Sequence, residues 1–538
     1  MTHPLLQYHD ATKHHYHRYA RSAGHMDWAN QPNPFRAYEG VTRYSLSRQG
    51  QDPEGTDAQL FMPGAFLPQP LNSRTLSDFL GLSLGLSAWK AAGGSRWSLR
   101  INPSSGNLHP TEGYLLLPPL DPFPGAGVCH YNPFHHALEP RAEMPQGVWP
   151  SWENHFQGPG FAVVLTTIFW RESWKYGERA FRYCLLDGGH ALAALSLAAR
   201  LHGWALTCLT GAGDDQIDTL LGLDRTPWHP GETEHAELIC WVSSDAVPAE
   251  VPRHLPDSLV RPFADLDFKG RPNRLSGRAA RWPIIDDAAA AARKAATPAL
   301  PYAPVSRPMA FTPPAAGSAA GVIRRRRSAM AYDPRQSITV THFLAMLERT
   351  LPRTGVPPFA AAVMDPTVDL LLFVHRVAGL TPGLYWLQRT VSSPAAERPA
   401  WHASWAWQPV RPDFPLWLLK TADVRHDAME LSCHQEIAGH SAFALAMLAP
   451  LKTMVARQPF FYRHLHWECG MIGQVLYLEA EAHGVRGTGI GCFFDEPVQQ
   501  MLGITDDCLQ SLYHFTIGHP MDDPRLATLA PYHHLERQ

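Results

Sequence analysis

The chain has 538 residues, 45% hydrophobic and 18% charged, a composition that excludes a disordered protein and leaves room for two or more domains. A formal net charge of −3 excludes the strongly basic field of a nucleic-acid-binding protein. Eight scattered cysteines with no Cys-x-x-Cys pair exclude a zinc ribbon or disulfide framework, and the start Met1–Asp10 lacks a basic then apolar signal pattern.

No uncharged apolar run reaches the roughly 18 residues of a spanning helix, so a soluble, cytoplasmic protein with no membrane partner is expected. Histidines number 29, and the first cluster is His14-His15-Tyr16-His17. Adjacent histidines project in different directions on a helix or strand. With no carboxylate or cysteine beside them, they read as a surface feature, and no metal site is expected.

The stretch Arg100-Ile-Asn-Pro-Ser-Ser-Gly-Asn-Leu-His-Pro-Thr-Glu112 is the most informative. Pro103 and Pro110 fix φ at its two ends. Ser104, Ser105 and Asn107 present donors and acceptors, and Gly106, lacking a Cβ, lets the backbone approach a flat partner. Such a loop can read the edge of a flavin ring, although the same residue types make ordinary turns. Beyond it, Tyr114–Leu117 and the return Gly127–Tyr131 read as strands. Next comes Phe169–Tyr183, which contains the pair Lys175-Tyr176. Arg179, Arg182 and Asp187 have spacings on one helix that suit Arg–carboxylate pairing and a structural role, and His190 reads as core.

A Pro/Ala/Gly-rich stretch over 283–320 separates a first domain, 1–282, from a second, 321–538. The halves repeat each other. Arg182-Tyr-Cys-Leu-Leu-Asp187-Gly-Gly189 recurs as Arg463-His-Leu-His-Trp-Glu468-Cys-Gly470, an offset of 281 positions (182 to 463). Gly203 maps to Gly484, Asp214 to Asp495, and Leu221-Gly222 to Leu502-Gly503 in the same register. This is a tandem duplication. Apolar helices are predicted at Ala191–Leu201 and Ile472–His483, another at Thr341–Thr350, and strands at Leu370–Val374 and Gly383–Trp386. Each half therefore reads as α+β, helices flanking a small, mostly antiparallel sheet.

The copies have diverged. The second half carries Arg324-Arg-Arg-Arg-Ser328, whose charge-assisted donors suit a phosphate. It also carries Gly487-Thr-Gly489-Ile490-Gly491, where backbone N–H groups can approach a ring or anion. The first half reads Leu206-Thr-Cys-Leu-Thr210 in that register, and the second half's counterpart of the Ser-Ser loop, Val356–Asp365, has no Ser-Ser-Gly-Asn.

The Pro103–Asn107 loop and the Arg326-Arg327-Ser328 segment resemble the flavin-binding elements of the nitroreductase superfamily. The flanking Arg100 and Glu112 and the Lys175-Tyr176 pair resemble its SagB/ThcOx branch, the azoline dehydrogenases. The resemblance implies two tandem nitroreductase-like domains forming an intramolecular pseudo-dimer with flavin mononucleotide (FMN) between them. It implies ring contacts from Pro103, Ser104, Ser105 and Asn107 and phosphate contacts from Arg326, Arg327 and Ser328. Gly489, Ile490 and Gly491 are further candidates, as is Arg525 in the C-terminal segment. Because each half holds what the other lacks, one FMN per chain is expected. Met330 departs from the family, which usually has an arginine there.

Lys175 and Tyr176 are the catalytic candidates. Dehydrogenation needs a hydride acceptor, which FMN provides, and a base for the departing proton. A tyrosine with a pKa of about 10 becomes such a base when a neighbouring cation favours its phenolate, as Lys175 is placed to do; a desolvated Lys175 is the other option. The expected activity is oxidation of a thiazoline- or oxazoline-like substrate, a small molecule or a modified peptide, with a peptide-cyclising enzyme as partner. An NAD(P)H-dependent nitro or quinone reductase is the alternative within enzymes. A non-catalytic scaffold of a peptide-modifying complex is the alternative outside them, and the intact Lys175-Tyr176 argues against it.

Overall fold

The computed structural model describes residues 3–48, 52–121, 123, 125–245, 251–300, 302, 307, 309, 310, 317–361, 363–390, 404–504 and 508–536. Residues 301, 303–306, 308 and 311–316 of the expected linker lie outside that set, while its first part forms the helix Pro283–Ala291.

Each half contains a seven-stranded antiparallel sheet, larger than the small sheet expected. Across the first sheet the strands run Tyr44–Ser45, Ala137–Glu143, Gly127–Asn132, Thr111–Leu117, Gly160–Thr167, His235–Ser243 and Ala205–Cys208. Across the second they run Gln408–Arg411, Phe414–Thr421, Gly383–Leu387, Asp369–Val374, Phe443–Ala449, Gln510–Gly518 and Arg486–Ile490. Only the first-named edge strand enters from a different point of the chain in the two halves. The central strands Thr111–Leu117 and Gly160–Thr167 are buried at every position, as the apolar runs Tyr114–Leu117 and Phe161–Leu165 require of a sheet covered on both faces.

The cover over both sheets includes two helices of 22 residues, Ala180–Leu201 and Phe461–Ala482, packed against each other at the centre of the molecule. Both begin a full three turns before the predicted helices, because their first turns carry arginine and aromatic residues and no side-chain N-cap. The repeated glycines explain how the pair closes. A Cβ on Gly189 would overlap the Trp467 carbonyl, and one on Gly470 would overlap the Leu186 carbonyl, so neither site admits a larger residue without separating the helices.

The arginines of the repeat do not pair within their own helix, as their spacing suggested. Arg182 Nη1 reaches Asp495 Oδ1 at 2.6 Å and Arg179 Nη1 reaches Asp495 Oδ2 at 2.9 Å, both across the two halves. The same contact recurs in the other sense, Arg463 Nη1 to Asp214 Oδ2 at 2.7 Å. Each aspartate opens a short helix, Asp214–Leu221 or Asp495–Leu502, where the helix dipole also favours a negative charge. Reciprocal contacts of this kind are the mark of an isologous, twofold interface, here between two parts of one polypeptide.

The chain ends are exchanged as well. The helix Pro4–Ala11 bridges the halves: Tyr8 Oη donates to Glu178 O of the first at 2.7 Å, and His9 Nδ1 lies 3.3 Å from Tyr462 Oη of the second. The strand Ala527–Leu529 pairs antiparallel with Leu86–Ala92 of the first half. His14 is not on the surface as expected: it is buried, its Nδ1 accepts from Ala20 N at 2.9 Å, and its own N–H donates to Asp495 Oδ2 at 2.9 Å. None of the described helices is long and apolar enough to cross a membrane.

Asp495→Asn leaves two buried guanidiniums without a carboxylate and should cost about 3–5 kcal/mol in denaturant unfolding. Burial raises the Asp495 carboxyl pKa, but Arg179 and Arg182 outweigh it and hold the group at about 2. Its stabilisation is therefore present above the ordinary carboxylate range and lost as pH falls through about 2. An Asp495→Asn variant as stable as the parent would show that the reciprocal pairs do not hold the halves together.

Candidate functional site

The loop after strand Ser95–Arg100 turns through Ser105–Asn107, with Gly106 at φ +58° and Asn107 at φ +60°. It is pinned from beneath. Asp187 Oδ1 accepts from Ser105 N and Ser105 Oγ, each at 3.1 Å, and Ser104 Oγ donates to Glu172 Oε1 at 3.3 Å. Asn107 Nδ2 donates to Ser98 O at 2.9 Å, and His109 N donates to Ser104 Oγ at 2.8 Å. Arg100 and Glu112 are part of the loop's footing: Arg100 Nη1 donates to Thr111 O at 3.3 Å, while Glu112 meets Arg171 at 2.5 Å and His130 at 3.0 Å.

The second half faces this loop with its basic segment. Arg326 is buried and donates through Nη2 to Arg100 O at 3.0 Å and Ile101 O at 3.2 Å, with its guanidinium 5.1 Å from the Tyr477 ring centre. Its Nε has no partner. Arg327 donates to the carbonyls of Arg324, Arg326 and Ser87 at 2.7–3.0 Å. Among the described residues neither arginine meets a carboxylate. Burial, then the neighbouring Arg326, brings Arg327 down to about 10, so both remain cations in search of an anion. Ser328 Oγ lies 3.0 Å from Tyr477 Oη, which accepts from Gly489 N at 3.0 Å.

Between these elements lies a cavity of about 440 Å³. Its lining includes Pro103, Ser104, Ser105, Gly106 and Asn107 from one half and Arg326, Arg327, Ser328, Gly489, Ile490 and Gly491 from the other. A Cβ on Gly489 would overlap Tyr513 Oη, and one on Gly491 would overlap the Tyr183 ring. Both glycines thus let tyrosines close the wall. His190, expected in the core, is buried at 2% exposure but lines the cavity, 3.2 Å from Tyr513 Oη. Arg525 does not line it: it is exposed and paired with Asp523 at 2.6 Å.

Two further cations line the cavity that sequence reasoning missed, Lys90 and Arg486. Lys90 donates to Thr528 Oγ1 at 2.7 Å, and Arg486 pairs with Asp522. Arg486 stands next to Gly487 and could have been noticed. Nothing near Lys90 in sequence marks it, since it reaches the site only through the pairing of the first half with the C-terminal strand.

The helix Phe169–Tyr176 delivers Lys175 and Tyr176 over the loop. A Cβ on Gly106 would stand 2.6 Å from Tyr176 Oη and 3.1 Å from Lys175 Nζ, so the loop glycine is required for space as well as for φ. The electrostatics depart from expectation. Burial raises the Tyr176 pKa well above its ordinary value, and Glu172 and Tyr183 add to it. Lys175 Nζ, 5.1 Å from the Tyr176 ring centre, does not reverse this, so Tyr176 is a neutral hydroxyl and not a ready phenolate. Asp187 also departs from its expected structural pairing with arginine. It carries the loop and lines the cavity, and burial raises it to about 7. Burial and Asp187 raise Glu172 well above the usual range, so this adjacent pair of carboxyls holds a proton behind the loop.

The quasi-equivalent place in the molecule is filled. Beside Cys208, Leu209 and Thr210 the cavity measures about 20 Å³. The segment after helix Pro283–Ala291 lies over it: Leu300 N donates to Thr210 Oγ1 at 3.3 Å and Thr297 N to Gly211 O at 2.9 Å. Glu468, the counterpart of Asp187, is neutralised by Arg389 at 2.6 Å.

A sequence model of the Nitroreductase family matches residues 323–519. The trifolitoxin-processing protein TfxB of Rhizobium leguminosarum bv. trifolii is 31% identical over 134 residues, which cover 23% of this chain and 35% of that protein. The match therefore spans about a third of the relative's length. A solved structure from Anabaena variabilis, named as a nitroreductase, aligns with 97% of this chain and 100% of its own at 23% identity and a TM-score of 0.71, a likeness of fold. A chain of the E. coli microcin synthetase McbBCD complex with truncated pro-MccB17 aligns over 39% of this chain and 76% of its own, at 23% identity and a TM-score of 0.27. The fold across the chain is thus that of a solved structure named as a nitroreductase, and the Nitroreductase family's sequence pattern runs through residues 323–519 of its second half.

Proposed function

We propose that this protein is an FMN-dependent oxidoreductase that dehydrogenates a thiazoline- or oxazoline-like ring in a modified peptide. One observation carries the reading: a single cavity is lined by Arg326 and Arg327, neither of them paired with a carboxylate, and by the Gly106 loop with Tyr176, beside which Lys175 stands. The residues present suit the cofactor. Arg326 Nε and His109 Nδ1 are buried polar atoms without partners, and Gly106 and Gly489 leave no room for a Cβ beside the groups they face. Arg326, Arg327, Ser328, Lys90 and Arg486 would hold the phosphate, and the Ser104–Asn107 loop with Gly489–Gly491 the ring. Bound FMN supplies a two-electron hydride acceptor.

The chain's own groups divide the remaining work. Tyr176, held neutral by burial and Glu172, donates a hydrogen bond and fixes the substrate over Gly106. Lys175, exposed at the lip of the loop, can take the departing proton once substrate covers it and its ammonium has released its own proton to solvent. Asp187 and Glu172 keep the loop in place through Ser105 and Ser104. A peptide substrate is supported by the similarity to TfxB, a toxin-processing protein. In this reading the azoline ring is supplied by a separate peptide-cyclising enzyme. All eight cysteines are free thiols, in keeping with a reducing cytoplasm.

Purified protein should be yellow and release about one FMN per chain on denaturation, since the counterpart cavity is closed to about 20 Å³. Two per chain would overturn the single-site reading; colourless protein that cannot be reconstituted would overturn the flavoprotein reading. Arg327→Ala should weaken FMN binding roughly ten- to a hundred-fold, the loss of a charge-assisted hydrogen bond, by equilibrium dialysis.

Lys175→Ala and Tyr176→Phe should retain FMN but slow anaerobic flavin reduction by an azoline-bearing peptide about 10²–10⁴-fold. If NADPH alone reduces the flavin rapidly and neither substitution matters, the protein is a nicotinamide-dependent reductase instead.

A further inference from the structure

One feature of the cavity wall plays no part in holding the cofactor or moving the substrate proton. Cys492 follows Gly491 directly and lines the cavity, and its sulfur lies 2.8 Å from that of Cys433. Cys433 comes from a turn between helices Arg425–Leu431 and Glu436–His440, where Cys433 and His434 both have left-handed backbone, φ +54° and +60°. Two consecutive non-glycine residues in that region are unfavourable unless the surroundings impose them. Gln435 helps impose them, donating through Nε2 to Ser432 O at 2.9 Å and to Cys492 O at 3.0 Å. The turn aims one thiol at the other.

The surroundings suit sulfur chemistry. Both cysteines are half-buried, so reagents can reach them, whereas the cross-strand pair Cys208 and Cys240 is buried in the first sheet. The His14 side chain hydrogen-bonds Cys492, and Arg179 donates to the carbonyl of Gly491 at 3.3 Å. The bond to Cys433, together with His14 and Arg179, lowers the Cys492 thiol to about 5 against the effect of burial, while burial raises Cys240 well above its ordinary value. A lowered pKa favours the thiolate, the form that attacks in disulfide exchange.

We propose that Cys433 and Cys492 form a second redox centre, a dithiol/disulfide pair that exchanges two electrons with the flavin in the adjoining cavity. The proposal rests on the FMN reading above. When reduced flavin is reoxidised, the Cys433–Cys492 disulfide takes up two electrons and two protons, its sulfur–sulfur bond breaks and two thiols form. The flavin gives up the same two electrons and two protons and returns to its oxidised state. In reverse, the thiols lose two protons and two electrons to oxidised flavin as the sulfur–sulfur bond, about 2.05 Å long, forms.

The test uses the full chain as purified. After mild oxidation with diamide, alkylation and peptide mapping by mass spectrometry should find the Cys433 and Cys492 peptides crosslinked, and separate again after reduction. Anaerobic titration of the oxidised yellow protein with dithionite should then consume about four electrons per FMN, against about two in Cys433→Ser and Cys492→Ser. Yellow wild-type protein that takes only two electrons, or peptides that never crosslink, would overturn the proposal and leave the FMN reading standing. Protein that cannot bind flavin overturns both, and the peptide map then reports an isolated disulfide.

Discussion

The architecture depends on the crossing of two helices, Ala180–Leu201 and Phe461–Ala482, and on the charges that lock it. Glycines at 189 and 470 bring backbone against backbone, and at that distance the first turns place Arg182 and Arg463 opposite the aspartates of the other half. Buried ion pairs seldom add net stability over apolar packing, but one buried cation with the wrong neighbour is costly. The pairs therefore select a register as well as hold it. Any slip of one half along the other strands three guanidiniums, so the cavity walls meet in only one arrangement.

From that arrangement the asymmetry of the site follows. A dimer of identical subunits must carry two identical sites, whereas a fused pair can improve one and close the other. The first half keeps the Ser-Ser loop and Lys175-Tyr176; the second keeps the arginines and the Gly487–Gly491 strand. At the quasi-equivalent place, Thr297 and Leu300 cover Gly211 and Thr210, and Arg389 cancels the charge of Glu468. Residues without a ligand to contact have been put to use as packing.

Much of this was legible in sequence because it is local or repeated. The offset between Arg182 and Arg463 predicts matching helices, and both helices are found in that register. The Leu-Gly stops at Gly222 and Gly503 are left-handed caps, as such signals imply. What escaped is what only tertiary contact creates. Arg179 and Arg182 look like partners for Asp187 because all lie on one helix, yet a carboxylate 313 positions from Arg182 takes the charge. Lys90 lies far from every motif. Tyr176 stands beside a lysine in sequence, but its titration is governed by burial and by Glu172, one turn earlier in the same helix.

The exchanged chain ends bear on how the protein comes into being. The cavity is walled by residues as early as Lys90 and as late as Leu526, and the strand Ala527–Leu529 completes the sheet that carries Lys90. During synthesis the first half emerges with one face of its long helix uncovered and with only one wall of the cavity. It must wait for some three hundred further residues before that face is buried. On the FMN reading, cofactor loading therefore awaits synthesis of the residues up to Leu529, and bound flavin reports that the two halves have closed on each other.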